Sequence, residues 1–465
     1  MNTRTPPTGT ALPNPLLRGV LAHPHAIALR IHGGPSWTWR TLYEAALPRA
    51  RALHAAGVGP GDVVTVSTRC HTTFVRDAWA VWLAGACLRP IAGPTREIWA
   101  APTRDVITHG DGSPWRGSRT WSPDAPLVDV CTSGSTGAPR RHQITVGQAF
   151  FATMGSALRL GHLPGDVWLC PLPLHHVGGL AVLTRAAWLG IAVSLPTRFD
   201  APQVAEALRH GACSLVSLVP AMLADTLDRL ERAPVHSDVR AVLVGGGPCP
   251  EALVRRAEQA GLPLALTWGM TESFGQLATW RPGDFAAWPS AGAPLHFAEV
   301  SAHEGRLHIA GLQAPTAPGE RLTTQDRGSV RQGRVHVDGR ADDVIISGGE
   351  KLDLRALREH LLDHDGVADV WLDARDDPRW GQRPAALVVP ADAGSREARR
   401  ALVDQTLPAW VATRFAPWAT PDPLRAVEAL PRTALGKVDA PQARSLLYAP
   451  RSSTQPSPHA SWRNP

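Results

Sequence analysis

The feature that most constrains this chain is a loop rich in glycine and hydroxyl residues at positions 132–141. Two triplets that each end in glycine, at residues 132–134 and 135–137, follow an apolar run at residues 127–131 that predicts a strand. Glycine lets the backbone approach an anion closely, and hydroxyl and backbone N–H groups donate to the oxygens of that anion. Arg140 adds a permanent positive charge with a forked set of donors. The pattern indicates a phosphate-binding loop.

The loop alone does not establish phosphate binding. It is not a Walker A motif, because no Gly-Lys-Ser/Thr follows at the spacing that this motif requires. Serine and glycine also dominate ordinary turns, so a polar surface turn remains an alternative. Asp129 interrupts the apolar run before the loop and weakens the pattern of a buried strand.

Length and composition describe an ordinary chain of more than one domain. The 465 residues exceed the length of a single simple core, so two or more domains are expected. The net charge of +6 is not gathered in a long basic run, which argues against a nucleic-acid partner. Six scattered cysteines without a CxxC pair favour a reducing compartment over a structural zinc site. The N-terminus shows no signal-peptide pattern, so a cytoplasmic protein is expected.

Helix-like and strand-like segments alternate along much of the chain, which predicts an α/β fold with mostly parallel sheets. The longest apolar stretch, residues 177–196, contains Arg185 and three glycines and is interpreted as a buried helix and strand, not a membrane span. Several predicted strands run directly into loops rich in glycine or proline, and such loops share a ligand site at the carboxyl ends of parallel strands. The predicted helices are 39–57, 77–86 and 146–160, and the predicted strands are 63–66, 167–170, 215–219, 242–244 and 264–268.

The pattern changes after about residue 291 to short strands and turns. A charged turn is predicted at residues 338–343, and a smaller α/β region follows it. The predicted organisation is an N-terminal domain at residues 1–340, a C-terminal domain at 341–446 and a disordered, proline-rich tail at 447–465. The elements predicted for the C-terminal domain are helices 353–363 and 395–407 and strands 367–372 and 385–389.

Four stretches together resemble the adenylate-forming (AMP-dependent) acyl-CoA synthetase family. The loop at 132–140 resembles its phosphate loop, and Trp268-Gly269-Met270-Thr271-Glu272 resembles its aromatic-Gly-x-Thr-Glu motif. Residues 339–350 resemble its hinge, and residues 431–437 resemble its C-terminal lysine motif. The four stretches occur in the family's order, and the resemblance covers roughly residues 25–446.

The resemblance implies a fold and a reaction. The fold is a large N-terminal domain with mostly parallel sheets and a small, mobile C-terminal α/β domain. In the first half-reaction a carboxylate attacks the α-phosphate of ATP, giving an acyl-adenylate and pyrophosphate. In the second half-reaction the thiol of coenzyme A displaces AMP. The implied small-molecule partners are therefore a carboxylic acid, ATP with Mg²⁺, and coenzyme A, with no nucleic acid and no membrane span.

The resemblance also assigns roles to single residues of this chain. Thr271 donates to the α-phosphate, Glu272 binds Mg²⁺, and Lys437 reaches the carboxylate and the bridging phosphate oxygen. Asp342 is the pivot between the two catalytic orientations. The residues implied to hold ATP are Thr132, Ser133, Gly134, Ser135, Thr136, Gly137 and Arg140 at the phosphates, Gly245, Gly246, Gly247 and Trp268 at the adenine, and Asp326 and Arg340 at the ribose. Those implied for the coenzyme A channel are Gly348 and Gly349.

Each of these residues has a simpler interpretation. Asp326 and Asp342 are typical of turns, Glu272 is an acid that suits a helix N-terminus, and most lysines are solvated at the surface, as Lys437 would be. Two departures from the family pattern concern the nucleotide site. Arg140 stands where the family's phosphate loop usually ends in lysine, and Gln325 replaces the glycine of the usual Thr-Gly-Asp ribose motif.

Within the family, residues 173–179 and 217–223 resemble the o-succinylbenzoate–CoA ligases of menaquinone biosynthesis. Such a substrate has two carboxylates, of which one is activated, so the other needs a cationic or strong hydrogen-bonding site. His176 and Arg185 are the candidates for the acyl-substrate site. A pair of Arg185 with a carboxylate in the core, or a surface position on its helix, is the alternative. Another acyl- or aryl-CoA ligase, an enzyme that loads a carrier protein and an inactive nucleotide-binding protein also remain open, as does a homo-oligomer.

Overall fold

The computed structural model describes residues 11–93, 116–132, 140–230, 234–347, 350–377, 381–392, 394–433 and 436–449. These residues form two compact units. The first comprises Met1–Thr324 and Gly328–Val337, and the second comprises Gln325–Arg327 and Asp338–Pro465. Each unit is described by itself below.

The first unit alternates strands and helices over most of its length, as the sequence predicts. Its strands are β1 Leu12–Pro13, β2 Ile27–Ile31, β3 Ser36–Thr38, β4 Val63–Ser67, β5 Cys87–Ile91, β6 Thr120–Trp121, β7 Pro126–Thr132, β8 Arg140–Thr145, β9 Val167–Leu169, β10 Ala192–Leu195, β11 Leu215–Leu218, β12 Ala241–Val244, β13 Leu264–Met270, β14 Gly275–Thr279, β15 Ala293–Pro294, β16 Glu299–His303, β17 Arg306–Ala310, β18 Leu322–Arg331 and β19 Arg334–Arg340, the last two including residues of the second unit. Its helices are α1 Pro15–Ala22, α2 Trp39–Ala55, α3 His71–Leu83, α4 Val146–Leu160, α5 Val177–Leu189, α6 Ala201–Arg209, α7 Pro220–Leu230 and α8 Glu251–Gln259.

A nine-stranded sheet forms the centre of this unit, with the order β15-β14-β13-β12-β11-β9-β10-β2-β3. The six strands from β13 to β2 pair in parallel, and antiparallel pairs occur only toward the two edges. Every residue of β11 and β12 is buried, which explains why these strands are apolar in the sequence apart from Ser217. The α/β fold with mostly parallel pairing is therefore confirmed.

A second sheet has the order β4-β5-β7-β8 and carries the glycine–hydroxyl loop between its last two strands. The strand predicted before the loop is confirmed as β7. Asp129 is accommodated inside this strand because Nε of Arg89, on the neighbouring β5, donates to its Oδ2 at 3.0 Å. A further small sheet has the order β16-β17-β18-β19, and β1 pairs with β6.

Helix predictions were correct where the sequence carries capping signals. Helix α4 begins and ends as predicted, because Thr145 and Gln148 form a capping box at its start and Gly161 adopts φ 70° at its end. Helix α3 spans residues 71–83 instead of the predicted 77–86, since its first turn consists of polar residues outside the apolar pattern. The apolar stretch at 177–196 forms α5 and β10, as predicted. Among the described residues, no helix has the length and apolar character that a membrane span requires.

Two predicted turns are shorter than the sequence suggested. Strand β13 does not stop at Trp268 but continues to Met270, because Gly269 has no side chain to collide with the carbonyl oxygen of Gly275 on the neighbouring strand. Strand β19 continues to Arg340, so only Ala341–Asp343 form the charged turn predicted at 338–343. Charged residues on the exposed positions of a strand were misread as a turn.

The second unit is a small α/β structure. Its sheet has the order β21-β20-β23-β22, with β24 paired in parallel to β23, and its apolar residues pack against α9 and α11. The single helix predicted at 395–407 is instead α10, a π-helical segment Leu402–Thr406 and α11, in which Pro408 occupies the first turn. The elements are β20 Val344–Ser347, β21 Glu350–Asp353, β22 Val367–Asp377, β23 Gly381–Pro390, β24 Leu424–Ala426, α9 Leu354–Leu362, α10 Arg396–Ala401, α11 Leu407–Ala412 and α12 Ala440–Tyr448.

The C-terminal tail begins later than predicted. Residues 447 and 448 belong to α12, where Leu447 is buried against β23 residues such as Leu387. Asp373 holds this helix, since it accepts from Nε and Nη2 of Arg444 at 2.9 and 3.0 Å and from the Tyr448 hydroxyl at 3.2 Å. The rest of the predicted tail, from residue 450, lies outside the described residues.

Candidate active site

The strands β9, β11, β12 and β13 pair in parallel, so their carboxyl ends all lie at the same end of the nine-stranded sheet. His176 lies in the segment after β9, Gly245–Gly247 follow β12, and Trp268 lies on β13. Gly245 is needed for close packing, because a Cβ atom there would lie 2.6 Å from Cγ2 of Thr267. The fold therefore places the predicted glycine loop directly beside the strand that carries Trp268.

Thr271 and Glu272 lie in a tight turn between β13 and β14. Residues Thr271–Ser273 form a 3-10 turn, and the next two residues have positive φ values, 55° at Phe274 and 100° at Gly275. A positive φ is uncommon for a residue with a side chain, but Phe274 is fully buried, which holds it in this conformation. The turn that carries the two predicted catalytic residues is thus fixed by core packing.

Side chains from two other segments hold the same turn. Nε2 of Gln148, at the start of α4, approaches the carbonyl oxygen of Glu272 at 3.5 Å. Nε2 of Gln313 donates to the carbonyl oxygen of Ser273 at 3.2 Å. These contacts involve backbone atoms of the turn and do not engage the Glu272 carboxylate, whose side chain is 33% exposed.

A residue that the sequence did not suggest lies next to that carboxylate. Nε2 of His142, on β8, is 3.8 Å from Oε1 of Glu272, and the His142 side chain is 20% exposed. The strand pairing fixes the position of His142, which lies opposite Val130 on β7. The alternation of residues along β8 could have indicated which face of the strand His142 occupies. A single sequence does not reveal that this face lies beside the distant 271–275 turn.

Arg185 lies on α5 and reaches the same turn from the interior. It is only 2% exposed, so a surface position on the helix, one of the two simpler interpretations, is wrong. Its Nη1 donates to Oε1 of Gln276 at 2.6 Å, and its Nη2 donates to the carbonyl oxygen of Phe274 at 3.3 Å. Its Nε has no hydrogen-bond partner among the described residues, and burial lowers the pKa of the guanidinium to about 10.

The partners of Arg185 are neutral, which is unusual for a buried cation. In the described part of the chain no carboxylate forms an ion pair with it, so the core carboxylate considered from the sequence is wrong, and the side-chain partner is an amide, Gln276. Burying a charge without an opposite charge is costly, because the lost hydration free energy is offset only by ion pairs or well-formed hydrogen bonds. The arrangement therefore leaves a positive charge that an anionic ligand would stabilise.

His176 lies at the N-terminus of α5, and its ring is close to that of His175, with centroids 4.2 Å apart. Nδ1 of His175 lies 3.3 Å from Oγ1 of Thr68, and burial lowers the pKa of His175. Both histidines are half-buried. The two candidates for the acyl-substrate site, His176 and Arg185, thus lie at the start and in the middle of one helix.

The phosphate loop is described only at its two ends. Thr132 is the last residue of β7 and lies opposite Arg140, the exposed first residue of β8. Ser133, Gly134, Ser135, Thr136 and Gly137 lie outside the described residues. The hairpin β7–β8 therefore fixes where the loop leaves and re-enters the sheet, and the roles of the loop residues stay predictions.

Three predicted residues belong to the second unit and lie near one another. Nη1 of Arg340 is 3.8 Å from Oδ1 of Asp326. Desolvation by neighbouring atoms, and then the positive charge of Arg340, lower the pKa of Lys437, while Asp326 opposes the shift. The Lys437 side chain is exposed to solvent. The unit brings together the predicted ribose pair and the predicted catalytic lysine.

Lys437 lies at the end of a tight loop. The N–H of Thr433 donates to the carbonyl oxygen of Lys437 at 2.7 Å, and the N–H of Gly436 donates to that of Thr433 at 2.8 Å. Gly436 has φ 72°, a conformation that favours glycine. Of the other residues predicted in this unit, Asp342 lies in the turn Ala341–Asp343, and Gly348 and Gly349 lie outside the described residues.

The donor set suits a magnesium ion that arrives with a nucleotide. Glu272 offers hard carboxylate oxygens, and Mg²⁺ is commonly bound by one or two carboxylates together with substrate phosphates. Among the described residues no group of three or more His, Cys, Asp or Glu side chains is placed to form a complete protein cage. The residues therefore fit a metal that is shared between protein and phosphates.

Comparison with known proteins agrees with this geometry. Residues 97–304 match the model of the AMP-binding enzyme family, and residues 359–437 match that of the AMP-binding enzyme C-terminal domain. A 2-succinylbenzoate–CoA ligase of Geobacillus kaustophilus is 31% identical to the chain over 481 aligned residues, covering 92% of the chain and 96% of that protein. The chain belongs to the AMP-binding enzyme family. The similarity to adenylate-forming ligases that the sequence motifs indicated is confirmed.

Other AMP-binding enzymes show the same relationship. A 2-succinylbenzoate–CoA ligase of Listeria monocytogenes is 32% identical, over 69% of the chain and 70% of that protein. The o-succinylbenzoate–CoA synthetase of Bacillus subtilis, solved with its acyl-adenylate intermediate, superposes with a TM-score of 0.79 at 25% identity and covers 95% of the chain and 99% of its own. The same enzyme with ATP and a magnesium ion gives a TM-score of 0.77 at 24% identity, which supports the fold. The adenylate-forming ligase fold is confirmed.

Proposed function

We propose that the protein is an AMP-forming acid–CoA ligase that converts 2-succinylbenzoate into 2-succinylbenzoyl-CoA through an acyl-adenylate, with ATP, Mg²⁺ and coenzyme A as partners. Family membership supports the reaction class, and the names of the relatives support the acid. The observation that carries the choice of a diacid is the buried Arg185, whose hydrogen-bond partners among the described residues are neutral.

Arg185 is suited to hold the carboxylate that is not activated. Its guanidinium reaches the backbone of Phe274, two residues after Glu272, so a substrate held there has its other end near the turn that carries Thr271. A guanidinium and a carboxylate form charge-assisted, often bidentate hydrogen bonds. In this proposal the diacid supplies the negative charge that the core lacks, and His176 lines the same acyl site.

The first half-reaction accumulates negative charge on the α-phosphate as pyrophosphate leaves, so catalysis requires donors and cations that are already in position. Thr271 is proposed to donate its hydroxyl to the α-phosphate. Lys437 is proposed to donate to the attacking carboxylate and to the bridging oxygen. Glu272 is proposed to hold the Mg²⁺, which neutralises phosphate charge when bound, and Arg140 takes the place of the family's usual lysine at the phosphates.

The nucleoside is proposed to lie between the glycine loop Gly245, Gly246 and Gly247 and the ring of Trp268. The ion pair of Asp326 with Arg340 orients the aspartate, which then accepts from the ribose hydroxyls. Asp342 is proposed as the hinge of a domain rotation that precedes attack by the coenzyme A thiol, with Gly348 and Gly349 in the thiol channel.

Pyrophosphate release with a panel of acids tests the proposal. With 2-succinylbenzoate we expect a single turnover without coenzyme A and continuous turnover, with thioester product, when coenzyme A is added. A faster reaction with another aryl or acyl acid would replace the proposed substrate. Pyrophosphate release that coenzyme A does not accelerate would indicate a carrier-protein acceptor, and no release with any acid would indicate an inactive nucleotide-binding protein.

A further inference from the structure

His142 lies beside the carboxylate that is proposed to hold the metal, and no step of the proposed reaction uses it. Its Nε2 is 3.8 Å from Oε1 of Glu272, and both side chains are partly exposed. Strand β8 fixes the backbone of His142, and Gln148 contacts the backbone of Glu272. An imidazole and a carboxylate are thus held next to each other by separate elements of one unit.

The separation of the two atoms suits one shared cation. Divalent metals bind imidazole nitrogen at about 2.0–2.1 Å and carboxylate oxygen at about 2.0–2.2 Å. The sum of these two lengths, about 4.2 Å, is larger than the observed 3.8 Å, so a single ion can contact both atoms without a change in the backbone. Phosphate oxygens and water would complete the coordination, as in nucleotide sites generally.

Nitrogen and oxygen ligands select different metals. Mg²⁺ prefers oxygen ligands and gives up its water reluctantly. Imidazole favours later first-row metals, and affinity for a site with nitrogen ligands rises from manganese toward nickel. A histidine beside the metal-binding glutamate therefore changes which cation is bound best, and it does so without weakening the oxygen contacts that Mg²⁺ uses.

We propose that His142 and Glu272 form a two-residue nitrogen–oxygen site for the divalent cation of the nucleotide, and that His142 shifts the preference of this site from Mg²⁺ toward Co²⁺ and Ni²⁺. The proposal rests on the function proposed above, since Glu272 must face the phosphates. It makes His142 a residue that determines metal specificity.

Direct coordination is tested on the wild-type protein with Co²⁺ and α,β-methylene-ATP. A histidine bound to Co²⁺ shows a solvent-exchangeable ring N–H signal in the proton NMR spectrum, shifted far outside the normal range by the paramagnetic ion. We expect one such signal, absent from His142→Gln. A spectrum without this signal, or one that keeps it in His142→Gln, overturns the proposal.

Selectivity is tested by calorimetric titration of the Co²⁺ and Mg²⁺ complexes of α,β-methylene-ATP. His142→Gln should weaken binding of the Co²⁺ complex at least about 10-fold, the lower end of the loss seen when a partner of a metal ligand is removed, and should change the Mg²⁺ complex far less. Equal losses for both metals, or none, would contradict a ligand role. His210→Gln is the matched control, because His210 also faces a glutamate, Glu206 at 2.8 Å, but both side chains are exposed at the C-terminal end of helix α6.

Glu272→Gln separates this inference from the proposed function. If that variant binds both metal–nucleotide complexes as tightly as the wild type, Glu272 is not a metal ligand and the proposed nucleotide site is wrong. If it loses both complexes while His142→Gln loses neither, only the role of His142 is wrong. Thermal melting of each variant without metal shows whether the fold is intact, and the NMR result on the wild type does not depend on any variant.

Discussion

Arg185→Met tests the diacid site most directly. Methionine is flexible and apolar, so it fills much of the space on α5 that the 2%-exposed arginine occupies, but it has neither charge nor donor. A hydrogen bond to a charged group contributes about 1.5–3 kcal/mol, and each 1.4 kcal/mol is a factor of ten in binding. We therefore expect KM for 2-succinylbenzoate to rise roughly 10- to 150-fold while KM for ATP is nearly unchanged.

The same substitution also has a structural effect, which must be measured separately. The carbonyl oxygen of Phe274 and Oε1 of Gln276 lose their donor, and a buried acceptor without a partner costs about 1–3 kcal/mol. Removal of the buried charge has the opposite effect and raises the stability of the fold, because the cost of burying that charge is no longer incurred. Thermal melting of Arg185→Met will show the net change in stability, which is independent of the change in KM for the diacid.

A substrate comparison distinguishes binding from a general distortion of the site. The control acid is an analogue that lacks the carboxylate that is not activated. Its KM should be high in the wild type and nearly the same in Arg185→Met, whereas Arg185→Lys, which keeps the charge but not the fork, should have an intermediate KM for the diacid. An equal change in KM for both acids, or an unchanged KM for the diacid in a folded Arg185→Met, would refute the reasoning and leave His176 as the candidate.

The other predictions concern the second unit. Lys437→Ala should slow adenylation roughly 10²–10³-fold, the scale for loss of one preorganised donor, and spare thiolysis of a supplied acyl-adenylate; equal loss of both half-reactions would contradict the assignment. The pKa of Lys437 is lowered, and its positive charge is present below that pKa, so adenylation should decline with rising pH before an ordinary lysine would titrate. Lys437→Arg should move this decline in the pH–rate profile to higher pH. Asp342→Pro should keep pyrophosphate release and lose thioester formation if the hinge moves; normal thioester output would exclude the hinge role. Asp373→Asn should lower the free energy of unfolding by about 1.5–3 kcal/mol in a denaturant titration, since Arg444 and Tyr448 lose a charged acceptor, whereas Asn at the exposed Asp376 of the same strand should not.

The sequence was informative wherever a local rule determines the structure. Helix α4 could be predicted to the residue because Thr145, Gln148 and Gly161 are capping signals within a few positions of its ends. The buried strands β11 and β12 were also found, since short, mostly apolar runs that end at glycine or proline are typical of central parallel strands. In both cases neighbours along the chain carry the information.

Features that depend on distant contacts could not be predicted. The position of His142 next to Glu272 and the amide partner of Arg185 both require knowledge of which strands lie beside the 271–275 turn. The length of β13 depends on Gly269 packing against the carbonyl of Gly275, a contact made only after the chain has reversed direction. The candidate residues were identified from motifs, but their partners became visible only in the folded chain.

The assignment of Gln325–Arg327 to the second unit has a practical consequence for recombinant modules. A fragment that starts at Asp338 would contain Arg340 and Lys437 but not Asp326, the acidic partner of that cluster. Two neighbouring cations without their counter-charge would repel each other, and the lysine of such a fragment would titrate at a still lower pH. Chimaeras that exchange the C-terminal module between relatives should therefore be joined ahead of β16, so that the β16–β19 sheet stays whole and Asp326 comes from the same protein as Lys437.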